Sequence, residues 1–76
     1  MQTEKFQITI ASLPDREELV AEILYEGVQW AEISQEEENG EVTLQLYPHP
    51  TEKYWEFIFD EAIEVLERAK NRLVKM

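Results

Sequence analysis

Two glutamates and a tryptophan are the residues of this sequence whose types and spacing could do chemistry. Glu22, Trp30 and Glu32 occur together in the stretch LVAEILYEGVQWAEIS, which predicts two antiparallel strands folded about Glu26-Gly27. With a three-residue turn, the two carboxylates are diagonal neighbours on one face, with Cβ atoms roughly 7–8 Å apart. This separation is compatible with hydrolysis by paired carboxylates, a hypothesis that competes with a plain solvated face.

The other polar candidates predict no catalytic or metal centre. His49 lies between two prolines without a companion nucleophile or acid, and the sequence contains no cysteine and no second histidine. A zinc site needs several such ligands. The glutamates at 36–38 lack the alternating ligand pattern of a calcium loop. We therefore expect no metal, no cofactor and no enzymatic activity, and the residues indicate no small-molecule ligand.

The turn at Glu26-Gly27 decides which side chains share a face. Glutamate rarely adopts positive φ, so the sequence favours a type I turn with Gly27 as a left-handed bulge residue over a two-residue type I′ turn. Leu24 then pairs with Val28, and the face opposite the two carboxylates is apolar except for Gln29. The face that carries the two carboxylates supplies a candidate interface. It comprises Val20, Glu22, Leu24, Val28, Trp30 and Glu32, with Tyr47 from a later strand.

A helix competes with the first strand of this hairpin. Residues 13–26 follow Ser12, contain Pro14-Asp15 near their start, end before Gly27 and contain four apolar residues at helical spacing. That apolar stripe covers little more than one helical turn. We therefore favour the hairpin and keep the helix as the alternative.

Three further segments of the chain predict strands. Lys5–Ala11 and Glu41–Tyr47 alternate apolar and polar residues, as half-buried strands do, and Tyr54–Ile58 predicts a short fifth strand. With these strands the predicted core comprises Phe6, Ile8, Ile10, Leu19, Ala21, Ile23, Ala31, Ile33, Val42, Leu44 and Leu46.

The last segment predicts an amphipathic helix. From Asp60, taken as the N-cap, apolar residues recur at helical spacing as far as Leu73, and Glu64 can pair with Arg68. The fold predicted for residues 1–76 is a single α+β domain. It consists of an antiparallel β-meander of four to five strands with one C-terminal α-helix packed across one face.

Acidity is the strongest global feature of the chain. It contains 17 Asp and Glu residues against 7 Lys and Arg, a net charge of −10. This charge opposes binding to nucleic acid, and it serves either solubility or attraction to a basic partner. The sequence shows no signal peptide and no apolar run long enough to span a bilayer, so we expect a cytoplasmic protein that does not enter membranes.

Two resemblances accompany these patterns. The segments LVAEILYEGVQWAEIS and YWEFIFDEAIEVLERAKNRL resemble those of small acidic bacterial proteins, cyanobacterial ones among them, that have no assigned function. This similarity covers most of the chain and implies no activity. The segment DEAIEVLERAKNRL is also similar to the helix that follows the strands in HicB-like antitoxins. The chain lacks that family's glycine- and proline-rich strand segment and its DNA-binding domain.

Three functions follow from these features. The first is a non-enzymatic protein-interaction module, acting as a homodimer or with a protein partner, that uses the sheet face around Trp30. The second is an acidic inhibitor, or an immunity- or antitoxin-like protein, that binds a basic partner. The third is a small enzyme that uses Glu22 and Glu32. Whether the face around Trp30 is exposed or covered by residues 48–53 is left open by the sequence.

Overall fold

Four antiparallel strands and one helix make up the described part of the chain. The computed structural model describes residues 5–12, 19–35 and 40–74. The predicted α+β meander with a C-terminal helix across one face is confirmed, since the strands form one open sheet in chain order. The elements are β1 (Phe6–Ser12), β2 (Leu19–Tyr25), β3 (Val28–Gln35), β4 (Val42–Leu46) and α1 (Phe59–Val74).

The turn between β2 and β3 has two residues, not the predicted three. Glu26 has a φ of 51° and Gly27 a φ of 86°, positive at both central positions as in a type I′ turn. Tyr25 pairs with Val28, so the predicted pairing of Leu24 with Val28 is wrong. The type I′ turn matches the right-handed twist of the strands that it joins.

Contacts with Lys5, the residue before β1, hold Glu26 in the left-handed region. Its backbone N–H donates to the carbonyl oxygen of Lys5 at 2.8 Å. Its carboxylate lies 3.6 Å from the Lys5 ammonium group, although both side chains are exposed. Left-handed φ costs a residue with a Cβ about 1–2 kcal/mol. The local sequence reveals the cost of the left-handed conformation, but it does not reveal the contacts with Lys5 that offset it.

A β-bulge in β3 follows the turn and changes which side chains face the helix. Leu24 pairs with Gln29, but Ile23 pairs with Ala31, so Trp30 is an extra residue in β3. A bulge interrupts the regular alternation of side chains between the two faces. Trp30 and Ala31 are therefore both buried in the core beneath α1. The prediction that Trp30 lies on the face away from the helix is wrong.

Helix α1 packs on the sheet through a narrow stripe. Val65, Ala69 and Leu73 recur every four residues and are buried, as one face of a helix requires. The helix contacts β2 most extensively, then β3 and β1. On the sheet side the stripe meets the buried residues Ala21, Ile23, Ala31 and Ile33.

Two predicted element boundaries need correction. Residues 54–58 form no strand, although Trp55 and Phe57 pack against the core as their alternation predicts. Helix α1 begins at Phe59, so Asp60 lies in the first turn rather than at the N-cap. The predicted ion pair is present, with Arg68 Nη2 at 3.2 Å from Glu64 Oε2.

The part of residues 13–26 that the structure describes forms a strand and not the alternative helix. Residues 19–25 form β2, which is paired along its whole length with β1. Residues 13–18 lie outside the described ranges. Pairing with the strands on either side of β2 favours the strand over the helix. The local spacing of apolar residues does not reveal these neighbours.

Substitution of Glu26 by asparagine tests whether the turn is strained. Asparagine tolerates positive φ better than glutamate, and Asn-Gly is a preferred pair in type I′ turns. The variant loses the ion pair to Lys5, so its matched control is Lys5→Gln. We expect Glu26→Asn to unfold with a free energy about 0.5–1 kcal/mol higher than the control in urea denaturation. A value equal to or below the control would contradict the strained turn.

Substitution of Gly27 by valine should act in the opposite direction. A Cβ built on Gly27 meets no heavy atom within 4 Å, so the variant measures backbone strain without a steric clash. We expect the free energy of unfolding to fall by about 1–3 kcal/mol, because a β-branched residue is disfavoured at positive φ. An unchanged thermal midpoint would exclude the left-handed conformation at this position.

Candidate functional site

The predicted interface residues are divided between the two faces of the sheet. Trp30 is 5% exposed and belongs to the core beneath α1. Val28 pairs with Tyr25 near the turn and lies on the same side as Trp30. Val20, Glu22, Leu24, Glu32 and Tyr47 lie on the opposite face, where each is buried or half-buried. The expectation of one exposed apolar face centred on Trp30 is therefore wrong.

Glu22, Glu32 and Tyr47 do come together on the face away from the helix. Glu22 pairs directly with Glu32, not diagonally as predicted, which brings their Cβ atoms within about 4.5–5.5 Å. The Tyr47 hydroxyl donates to Glu32 Oε1 at 2.9 Å, and the Gln29 amide donates to the same oxygen at 3.4 Å. A reacting substrate would have to displace Tyr47 from this carboxylate. The contacts give Glu32 a structural role in holding the chain after β4 against the sheet.

Five aromatic rings, here called the aromatic cluster, close the end of the core near the β2–β3 turn. The Phe57 ring centroid lies 4.6 Å from that of Trp30 and 5.0 Å from that of Tyr25. The tilted and edge-to-face arrangements are those that aromatic quadrupoles favour. Residues 54–57 thus cover Trp30 where the helix does not reach. The cluster consists of Phe6, Tyr25, Trp30, Trp55 and Phe57.

Both tryptophans of the aromatic cluster bury their indole N–H groups. Among the described residues, neither Trp30 Nε1 nor Trp55 Nε1 has a hydrogen-bond acceptor. A buried donor without a partner costs about 1–3 kcal/mol.

His49 organises the loop that follows β4. Its Nδ1 accepts hydrogen bonds from the backbone N–H groups of Thr51, at 3.1 Å, and Glu52, at 3.0 Å. An accepting Nδ1 places a ring hydrogen on Nε2. The ring centroid lies 4.3 Å from that of Trp55. His49 therefore joins the loop to the aromatic cluster.

Exposed apolar side chains of β4 and of one flank of α1 form a surface that we call the apolar shelf. Its four members are large side chains that a small acidic protein would be expected to bury. Leu44 and Leu46 were predicted in the core, and this prediction is wrong. The shelf comprises Leu44, Leu46, Phe59 and Ile63, which are 46%, 64%, 74% and 39% exposed.

The pairing of β4 places its two leucines on the helix-bearing face. Leu44 pairs with Ile33, and Leu46 pairs with Ala31. Directly opposite residues share a face, and Ile33 and Ala31 are part of the core. The leucines are exposed because α1 lies mainly over β2 and does not cover them.

The two helical members of the shelf lie on the flank of α1 that is turned toward β4. Arg72 Nη1 lies 3.5 Å from the carbonyl oxygen of Ile8, which places the Arg72 flank over β1. Ile63 precedes Arg72 by nine residues, as Phe59 precedes Arg68, and nine residues make about two and a half helical turns. Phe59 and Ile63 therefore occupy the opposite flank, beside β4.

Comparisons with protein-family models, with curated proteins and with solved structures return no match at a significant level. Within residues 5–12, 19–35 and 40–74, no helix is long and apolar enough to cross a membrane. The same residues contain no group of three or more His, Asp or Glu side chains that could hold a metal ion.

Truncation of Trp30 should destabilise the fold. Removing a buried aromatic side chain costs about 3–5 kcal/mol, a large share of the stability of a small domain. We expect Trp30→Ala to lower the urea midpoint strongly, and Trp30→Phe, which keeps a ring against Phe57, to lower it less. Wild-type stability in Trp30→Ala would show that Trp30 lies on an exposed face after all.

Proposed function

We propose that this protein is a protein-interaction module whose apolar shelf binds an amphipathic α-helix with basic flanks from a partner protein. The observation that carries the proposal is the exposure of Leu44 and Leu46 on the helix-bearing face of β4 and of Phe59 and Ile63 on the flank of α1 that is turned toward β4. Contiguous apolar surface that a monomer leaves open commonly marks an interaction site. Burial of several large apolar side chains supplies the free energy for association.

The width of the shelf fits one helix. Neighbouring strands lie about 4.8 Å apart, and packed helices lie roughly 8–10 Å apart. A second helix beside α1, which is centred over β2, would therefore lie over β4, two strands away. Its apolar face would contact Leu44 and Leu46 below and the Phe59–Ile63 flank of α1 at its side. An extended peptide would leave part of the apolar shelf uncovered.

The charge around the shelf favours a basic partner. The whole chain has a net charge of −10, the exposed residues Asp60 and Glu67 belong to α1, and the exposed Glu41 directly precedes β4. Lysine or arginine on the flanks of the bound helix would complement this field and speed association. Between Phe59 and Lys70, the exposed flank of α1 that carries Ile63 contains one basic residue, Lys70. Its methylene stem suits an apolar border.

A cavity at one end of the shelf could hold an anchoring side chain. It has a volume of about 330 Å³, and its lining includes Trp30, Leu46, Pro48, Tyr54 and Phe57. Deep apolar pockets that receive one large side chain are typical centres of binding energy in interfaces. A leucine or an aromatic residue at the end of the partner helix matches this cavity.

A second copy of the chain matches the shelf less well. Two molecules paired along β4 would hold their helices five strand spacings apart, about 24 Å, and would leave the leucines between them open. Placing a second copy's α1 over β4 would press its outward surface on the leucines. That surface is charged and exposed at Asp60, Glu64 and Glu67, and charge is costly to bury on an apolar face.

The acidity supports a second candidate function, an inhibitor or antitoxin-like protein that binds a basic partner through charge alone. The two candidates differ in their response to salt. Apolar docking on the shelf tolerates salt, whereas binding steered by exposed charges weakens as ionic strength rises.

A designed peptide tests the shelf directly. The probe is a helix of about 18 residues with leucine along one face and lysine on the flanks, and binding is followed through the methyl NMR signals of Leu46 and Ile63. We expect the probe to bind, and a glutamate-flanked version to bind at least about tenfold more weakly. A third peptide of scrambled order, with the same composition but no apolar face, should leave the shelf signals unchanged.

Leu46→Lys and Gln45→Lys form a matched pair for the same titration. The two residues are neighbours on β4, both are exposed, and the substitutions add the same charge. Only Leu46 belongs to the shelf, so Leu46→Lys should abolish peptide binding while Gln45→Lys weakens it slightly. Equal loss in both variants would leave the charge-only inhibitor as the better account. A wild type that sediments as a dimer, and a Leu46→Lys variant that is monomeric, would make a second copy the occupant.

A further inference from the structure

We infer that the open edge of β4 binds an extended segment of the partner protein, which adds to the sheet as a fifth, antiparallel strand. This inference rests on the proposed function, because the segment is a second element of the partner whose helix lies on the apolar shelf. Strand β4 is the last strand of the sheet, so one of its sides has no neighbouring strand. Extended peptides commonly bind to such edges, where main-chain hydrogen bonds supply affinity.

The hydrogen bonds between β3 and β4 show which backbone groups point to that edge. The Tyr47 N–H donates to the carbonyl oxygen of Trp30 at 3.0 Å, so these two residues form a hydrogen-bonded pair. Hydrogen-bonded and non-hydrogen-bonded pairs alternate along an antiparallel ladder, and the next pair is Leu46 with Ala31. The residues of β4 whose backbone N–H and C=O groups point away from β3 are therefore Val42, Leu44 and Leu46.

The described part of the chain leaves this edge of β4 open. Among the described residues, no backbone hydrogen bond engages the outward groups of Val42, Leu44 and Leu46. Four of the five residues of β4 are exposed. The sequence of β4, VTLQL, contains no charged residue and no proline, which are common means of protecting an edge strand against pairing. The edge can therefore accept another strand.

The opposite edge of the sheet is protected by a charged side chain. The Glu26 N–H donates to the carbonyl oxygen of Lys5, so the alternation of pairs along β1 and β2 turns the Ile8 carbonyl away from β2. Arg72 Nη1 lies 3.5 Å from this Ile8 oxygen. A guanidinium group thus occupies an acceptor on the β1 edge and opposes pairing there. This contrast favours β4 as the edge that binds a strand.

The position of the partner helix explains why a strand would accompany it. A helix about 10 Å wide that lies over β4 extends about 5 Å beyond the last strand, close to one strand spacing of about 4.8 Å. The outer half of its apolar face would then have no sheet beneath it. A strand added to β4 fills this space, and its alternate side chains extend the apolar surface of Leu44 and Leu46.

The chemistry of the two faces selects the sequence of the added strand. In an antiparallel pair, the residues opposite Leu44 and Leu46 share the helix-bearing face, so they should be apolar. The residues between them lie beside the exposed Thr43 and Gln45. There the net charge of −10 and the exposed Glu41 before β4 favour lysine or arginine. A second copy of the chain carries the same net charge and would be repelled.

Designed peptides test the inference on the intact chain. The helical probe is compared with a version that a flexible Gly-Ser linker joins to the extended segment Val-Lys-Val-Lys-Val. We expect the extension to strengthen binding at least about tenfold. The amides of Leu44 and Leu46 should exchange rapidly with solvent in the free protein and slowly in the complex. The amides of Thr43 and Gln45, which the ladder with β3 protects, are the internal control.

N-methylation of the extended segment separates main-chain pairing from apolar or charge attraction. In the antiparallel register the valine N–H groups face β4 and the lysine N–H groups face away. Methyl groups on two valine nitrogens should therefore abolish the gain from the extension, whereas methyl groups on both lysine nitrogens should preserve it. Equal effects of the two modifications, or the reverse pattern, would overturn the inference.

The same titrations distinguish the inference from the proposed function. If the helical probe binds and the extension adds nothing, the inference fails and the proposed function stands. If the helical probe does not bind, both fail. A wild type that sediments as a dimer, with the Leu44 and Leu46 amides already protected from exchange, would make a second copy the occupant of the edge and overturn the inference.

Leu44→Pro and Leu44→Ala are matched variants of the protein. Both remove the leucine side chain, but only proline removes the N–H that faces the open edge, and neither variant loses a hydrogen bond to β3. Leu44→Ala should keep the gain from the extension, and Leu44→Pro should lose it. Equal gains in the two variants would contradict pairing at this edge. The methylated peptides test the same hydrogen bonds on the unaltered protein, so the inference stays falsifiable if Leu44→Pro does not fold.

Discussion

The difference in width between one helix and a four-stranded sheet is the constraint on which this structure depends. A helix is about 10 Å across, and four strands spaced about 4.8 Å apart are wider than that. Because α1 is centred on β2, it buries the inner face of β2 and most of β3. The leucines of β4 and the turn end of the sheet lie beyond its reach. The aromatic residues at 54–57 cover the turn end, and the apolar shelf stays open.

The bulge at Trp30 connects these features. It turns both Trp30 and Ala31 toward the core, so that the aromatic cluster has an indole on which to assemble. Beyond the bulge, Glu32 points to the opposite face and accepts the Tyr47 hydroxyl, which directs the chain after β4. The loop can then bring His49 and Trp55 into contact. Tyr54, Trp55 and Phe57 line both the cavity at the shelf and a second cavity beside the β2–β3 turn.

The repeating patterns of the sequence predict the elements well, because burial of one face imposes a period. Alternation in β1 and β4 and the spacing of Val65, Ala69 and Leu73 lead directly to the α+β meander and its helix. The bulge is not predictable in this way, because the small Ala31 fits either face of a regular strand, so the adjacent apolar pair Trp30-Ala31 does not identify an extra residue. The two-residue turn was missed because the contact that holds Glu26 comes from Lys5, outside the turn.

The candidate site was predictable only in part. Alternation assigns Leu44 and Leu46 to the correct face, but it does not say whether anything covers them. Trp55 and Phe57 alternate like strand residues because both pack on one side, yet they pair with no strand. Exposure depends on where the helix lies across the sheet, and no local spacing encodes that position.

Exposure of methyl and indole groups to a soluble paramagnetic agent tests this account most directly. The NMR signals of Leu44 and Leu46 should broaden strongly, while those of Ile23, Leu73 and the Trp30 indole should be protected. The opposite pattern, with the β4 leucines protected and the Trp30 indole broadened, would contradict both the placement of α1 and the bulge that turns Trp30 inward.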